Sequence, residues 1–148
     1  MKKTLLLLIA GFVTLQAGIV IKESSCDVYT TAHNLQKILK QKGIKTFAKI
    51  NHAANAKSVG MQLDPSIAII FGKPKMGTLL MQEDPSIGLD LPLKVLIYHD
   101  KNGHTKMAYK DGNYLKEHYN IKKHAKLLNK VTQVLENITN KAGQCKKD

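Results

Sequence analysis

The apolar positions of this chain follow several different periods. Residues 67–71, Ile-Ala-Ile-Ile-Phe, form an unbroken run rich in branched side chains and too short for a helix, which predicts a central strand buried on both faces. Residues 44–50 alternate instead. Ile44, Thr46, Ala48 and Ile50 stand against Lys45, Phe47 and Lys49, the pattern of a strand with both faces partly used. Before it, residues 19–21 read as a first strand, and Ser24 or Ser25 caps a helix that has Asp27 in its first turn. In that helix Leu35, Ile38 and Leu39 recur at helical spacing, Lys37, Lys40 and Lys42 favour its end, and Gly43 stops it. Residues 51–60 open a short helix or turn. Residues 93–98 and 104–109 pair as a hairpin across Asp100-Lys101-Asn102-Gly103, where Asn-Gly marks the turn. A short helical stretch follows at 114–118. From residue 121 onward Leu128, Val131, Leu135, Ile138 and Ala142 alternate steps of three and four among lysines. That stripe predicts an amphipathic helix packed against its own domain, with a partner groove as the alternative.

The strand at 67–71 ends in Gly72-Lys73-Pro74-Lys75-Met76-Gly77-Thr78, and an amphipathic helix resumes over 76–81. Glycines free the backbone, Pro74 fixes one dihedral, and the first amides of a helix are outward-facing donors. With Lys73, Lys75 and Thr78 beside those amides, the loop is suited to an anion, although its spacing fits neither the Walker pattern nor the dinucleotide fingerprint. His52, at the end of the strand over 44–50, is a second candidate, since polar residues at strand ends often line sites. Its alternative role is to cap a helix. Residues 61–67 and 81–87 differ at one position only. Both read as one local device that ends a segment with Asp-Pro and turns into the next.

Composition changes the picture at the ends of the chain. Met1-Lys2-Lys3 precedes an apolar stretch to Ala17 that is too short to span a membrane comfortably, the pattern of a secretory signal peptide over residues 1–17 cut after Ala17. The expected protein is therefore exported, periplasmic or secreted, with no transmembrane segment after cleavage. Removing the leader leaves 21 lysines against 11 acidic residues, a net charge of +10. Every positive charge is lysine and none is arginine, which disfavours nucleic acid because base and phosphate contacts exploit the guanidinium fork. Cys26 and Cys145 flank the mature chain. In an oxidising compartment they either pair or remain two separate thiols; pairing is the expectation, since a single domain often brings its termini close.

Residues 46–54 (Thr-Phe-Ala-Lys-Ile-Asn-His-Ala-Ala), 71–81 and 90–98 (Asp-Leu-Pro-Leu-Lys-Val-Leu-Ile-Tyr), taken in that order, resemble the bacterial domain of unknown function 302 family. The resemblance spans roughly Ile19 to Tyr119 and gives a family domain over residues 18–120. It implies an α+β fold, a single compact domain with a curved, antiparallel-rich sheet backed by helices, that forms homodimers, and it implies no reaction or cofactor. Residues 121–148 then read as a basic C-terminal helical extension outside the family domain.

No nucleophile with its base and no paired carboxylates are recognisable in the sequence. The leading function is a non-enzymatic domain that binds a small, anionic ligand in a mostly apolar pocket. Its candidate residues are His52, Gly72, Lys73, Lys75, Gly77, Thr78 and Lys94. The alternatives are an enzyme of unrecognised class, or copper or haem handling in the cell envelope, for which six histidines and Met61, Met76, Met81 and Met107 supply ligand types without a clustered motif.

Overall fold

The computed structural model describes residues 14–16 and 18–145. The expected leader and its cut after Ala17 lie outside the described residues, apart from the short strand β1 (Thr14–Gln16). After it come β2 (Ile19–Glu23), α1 (Val28–Gln41), β3 (Lys45–Asn51), α2 (His52–Ser58), β4 (Ser66–Gly72) and α3 (Pro74–Glu83). A 3-10 turn at Pro85–Leu89 leads into β5 (Leu93–His99), β6 (Thr105–Lys110), α4 (Gly112–His118) and α5 (Ala125–Ala142). The strands form one antiparallel sheet in the order β1-β2-β6-β5-β4-β3. This is an α+β domain built on an open antiparallel sheet.

Strand alternation decides which residues meet the helices. Val20, Tyr109, Val95 and Ile69 form one cross-strand row, and Met107, Ile97 and Ile67 the next, all buried. α1 covers this face with Val28, Ala32, Leu35 and Leu39, and α5 with Leu128, Val131, Leu135 and Ile138. β4 is an interior strand, as its apolar run predicts. Ile67, Ile69 and Phe71 point into the core, while Ala68 and Ile70 face the other side, Ala68 still buried. On that other face Ile50, Ala68, Leu96, Ala108 and Ile21 stand in a second apolar row across five strands.

The hairpin forms where Asn-Gly places it. Asp100 Oδ1 accepts from the amides of Asn102 and His104, each at 2.9 Å, and Gly103 takes φ 79°, a left-handed angle that suits glycine. Gly43, at φ 60°, ends α1 in the same region.

Two local expectations need correction. The cap of α1 is Asp27 itself, whose carboxylate accepts from the Thr30 amide at 2.9 Å and the Thr30 hydroxyl at 2.6 Å. Ser25 instead donates its hydroxyl to the Gly143 carbonyl at 3.0 Å, and Ser24 bonds Thr31 at 2.7 Å, so both serines serve the junction with the end of α5. The helix after β4 starts at Pro74 rather than Met76, because proline is pre-set for the first helical position. The amphipathic helix α5 packs against its own domain, as its stripe predicts. Its whole stripe from Leu128 to Ala142 is buried against α1, α4 and the sheet, so the core over 18–120 would be open without it.

A buried lysine went unnoticed in the sequence. Lys22 faces the core from β2, donates Nζ to Asn140 Oδ1 at 2.6 Å, and has its pKa lowered by desolvation.

Candidate functional site

The helix start at Pro74 reshapes the loop singled out from sequence. Gly72 closes β4, Lys73 is the cap position, and Gly77 and Thr78 lie inside α3. The fan of free amides expected there is largely absent. Pro74 has no N–H, and the amides of Met76 and Gly77 both donate to the Lys73 carbonyl, at 3.0 and 3.2 Å. Backbone donors therefore do not make an anion cradle at this turn. Neither glycine is held by a left-handed angle. A Cβ at Gly72 would meet Phe47 and Pro92 at 3.7 Å, and one at Gly77 would meet only the Met81 methyl at 3.8 Å, both ordinary contacts.

The glycines matter instead as the smooth wall of a cleft. It measures about 500 Å³ and lies between the end of β4, α3, α5 and the segment Leu91-Pro92-Leu93. Its floor is apolar: Phe71, Leu80 and Val131 are buried, and Ile44, Val134 and both Met76 and Met81 complete the walls. Phe47 reaches it through a β-bulge. The pairing of β3 with β4 shifts between Thr46 and Ala48, so Phe47 is the extra residue, turned out of the ladder and 42% exposed at the rim. The polar side chains of the lining are Lys42, Lys73, Lys130 and Thr78.

Of the residues proposed from sequence, the structure brings Gly72, Lys73, Gly77 and Thr78 together here. Lys75 is exposed and outside the lining. His52 opens α2 beyond Asn51, which pairs with Ile67, five residues back along β4 from Gly72. At about 3.4 Å per residue that is roughly 17 Å from the cleft end of the strand. Lys94 pairs with Ile70 and so faces the opposite side of the sheet, because Leu93, Val95 and Ile97 take the core side. It borders a smaller hollow of about 240 Å³ with Asp90 and Lys110. There Asp90 accepts from Lys110 Nζ and Tyr119 Oη, both at 2.7 Å. Desolvation pushes the Asp90 carboxyl up, but these two bonds outweigh it and hold it below the usual range; the same carboxylate raises Tyr119 to about 12.

Lys42, Lys130, Phe47, Val131 and Val134 were missed. Only Phe47 carried a visible signal, an aromatic ring between Lys45 and Lys49 on the polar side of an alternating strand.

The two helices that frame the cleft are tied by one carboxylate. Glu83, at the end of α3, accepts the amides of Lys122, Lys123 and His124 ahead of α5, together with His124 Nδ1 at 3.0 Å. Desolvation opposes its charge, yet these donors outweigh it and lower its pKa from 4.5 to about 2. A depressed carboxyl pKa stabilises the fold above the unfolded value and loses that contribution as the pH falls through the folded one. Glu83→Gln should therefore lower the melting temperature at neutral pH. The gap to wild type should close between pH 4.5 and about 2. Parallel melting curves across that range would contradict this role.

Comparison with known proteins places this arrangement. The family model described as Domain of unknown function DUF302 matches residues 20–140. The chain belongs to the DUF302 family. The matched span runs through most of α5, in line with that helix being part of the domain core. A crystal structure of an uncharacterized conserved DUF302 protein from Bacillus stearothermophilus superposes with a TM-score of 0.73 at 17% identity, covering 86% of this chain and 99% of that one. At that identity the likeness is one of fold. The fluoride-specific ion channels FluC 1 of Brucella suis biovar 1 (strain 1330) and of Brucella abortus biovar 1 (strain 9-941) are each 35% identical over 107 residues, 72% of this chain. The chain spans only about two fifths of their length, 42% and 40%.

Proposed function

We propose that this DUF302 domain is a non-enzymatic binding module that holds a small, apolar-bodied ligand in the cleft between α3 and α5. The cleft itself carries the reading. Its 500 Å³ lies within the range of small-ligand sites, roughly 300–1,000 Å³, and its walls are mainly apolar with a few convergent polar groups. Those groups are three lysines and a threonine, with no carboxylate or imidazole to serve as their base. Among the described residues no three His, Cys, Asp or Glu side chains gather where they could share a metal ion, so copper or haem handling would have to draw on Met76 and Met81. The channel name of the Brucella relatives is not carried over, because this chain spans only about two fifths of their length; among the described residues no helix is long and apolar enough to cross a membrane. The reading includes export, supported by the leader pattern and by the Cys26–Cys145 disulfide. A homodimer, implied by the family resemblance, would find apolar surface in the row from Ile50 to Ile21 on the opposite sheet face.

Gly77→Leu tests the cleft without attacking the fold. Glycine inside a helix costs about 1 kcal/mol relative to a good helix former, and a Cβ at Gly77 would make only an ordinary contact with the Met81 methyl, so the variant should melt no lower than wild type. Its side chain should fill the cleft. The neutral fluorescent probe N-phenylnaphthylamine is expected to bind wild type saturably and Gly77→Leu hardly at all. Absence of saturable binding, or equal binding to both proteins, would defeat the proposal.

A further inference from the structure

We infer that the ligand of this cleft is a single-chain amphiphile with one anionic head, of the long-chain carboxylate class, an inference that rests on the binding reading above. The cleft grades from exposed lysines to a buried apolar floor. Lys42 caps the end of α1, Lys73 precedes α3 and Lys130 stands on α5, so three separate elements each bring one lysine to the cleft. All three lysines are exposed, whereas Phe71, Leu80 and Val131 at the floor are 1%, 1% and 4% exposed. A ligand that satisfies both ends must be apolar at one end and charged at the other.

The sign of that charge follows from what the lining omits. It contains no Asp, Glu or His. Among the described residues the lysines engaged in ion pairs are Lys106 and Lys110, on β6, so nothing acidic competes for the three at the cleft. A cationic head would meet uncompensated like charge, and a neutral one would leave the lysines in water and gain only from the walls. A carboxylate gains from both. A bare inorganic anion gains little, because the helix start offers few free amides and exposed ammonium groups alone bind weakly. The long lysine stems also suit this arrangement, since they can lie along the apolar rim and still present the charge to water.

The experiment uses displacement of bound N-phenylnaphthylamine by three dodecyl compounds at concentrations below micelle formation, dodecanoate, dodecanol and dodecylamine, and, for the other source of the same chemistry, by phosphatidylglycerol vesicles. Dodecanoate should displace the probe at roughly tenfold lower concentration than dodecanol or dodecylamine, the advantage expected of a few exposed charge contacts acting together. It should shrink in high salt. The triple variant Lys42→Gln, Lys73→Gln, Lys130→Gln should still bind the probe but treat the three soluble dodecyl compounds alike. If the probe binds and wild type already treats them alike, the anionic-head assignment is wrong while the cleft stands. If the probe does not bind at all, the binding reading itself has failed. If vesicles bind the protein without displacing the probe and dodecanoate shows no preference, the lysines face a lipid surface and the inference is overturned.

Discussion

Gly112→Ala should destabilise the domain more than any other single methyl added to it. Gly112 is the buried first residue of α4, and it needs its lack of a side chain for space rather than for backbone angle. A Cβ there would lie 1.8 Å from the Leu128 carbonyl oxygen, 2.6 Å from the carbonyl carbon and 2.8 Å from Thr132 Oγ1. Two of those three atoms are backbone of α5, which cannot rotate aside as a flexible side chain would. Either α4 or α5 must move, and both are fixed: Leu115 holds α4 in the core, and the stripe of α5 lies against α1. Overpacking commonly costs 1–3 kcal/mol, and a clash with backbone belongs at or above the upper end, about 3 kcal/mol and roughly 10 °C in melting temperature for a domain of this size. The contrast is Gly77→Ala, which meets only the Met81 methyl at 3.8 Å and removes a helical glycine, so its melting temperature should hold or rise. If Gly112→Ala melted within a few degrees of wild type, the close approach of α4 to α5 would not be a feature of the folded protein.

The elements that could be read from the sequence were those whose signal is local. The run at 67–71 has no helical periodicity to compete with, Asn102-Gly103 dictates its turn, and the α5 stripe repeats over about four turns of one helix. What could not be read depends on neighbours far along the chain. The near-identical segments 61–67 and 81–87 show this directly. The first runs into β4, where Ser66 pairs with Tyr98, whereas the second ends α3 and enters a 3-10 turn in which Asp84 Oδ1 accepts the Ser86 amide at 3.0 Å. The same residues obey different tertiary partners. The cleft was half legible for a similar reason. Gly72, Lys73, Gly77 and Thr78 are contiguous and were found together, but Lys42 and Lys130 join them only through the packing of α1 and α5. Lys94 could have been set aside from parity alone, since Leu93, Val95 and Ile97 claim the core side of β5. His52 required knowing that β3 and β4 run antiparallel, which puts the end of one beside the start of the other.

Opening the Cys26–Cys145 disulfide should cost somewhat more than the Gly112 clash, by a different route. Cys26 lies between β2 and α1 and Cys145 just beyond α5, 119 residues apart in sequence, with Cα atoms at 5.3 Å. Much of the junction survives without the bond. The Ser25 amide and hydroxyl donate to the Gly143 carbonyl at 2.9 and 3.0 Å, Ser25 Oγ accepts the Cys145 amide at 2.8 Å, and Asn34 Nδ2 donates to the Ala142 carbonyl at 3.2 Å. These side chains cap the end of α5 from across the fold, so the native state of Cys26→Ala/Cys145→Ala should keep its shape. The loss falls on the unfolded side, where a covalent loop of this length restricts the chain by about 4–5 kcal/mol in the chain-entropy account. Urea unfolding should then show a lower midpoint together with a steeper slope, because the uncrosslinked chain exposes more surface when it unfolds. Coincident midpoints for the oxidised protein and the double alanine variant would remove the staple from the stability of the domain. Intact mass of the protein recovered from the cell envelope, alkylated without reductant, tests both the disulfide and the proposed export. A chain lacking residues 1–17 and taking up no label is the expected species, and one labelled at both cysteines would show that the pair does not form where the protein resides.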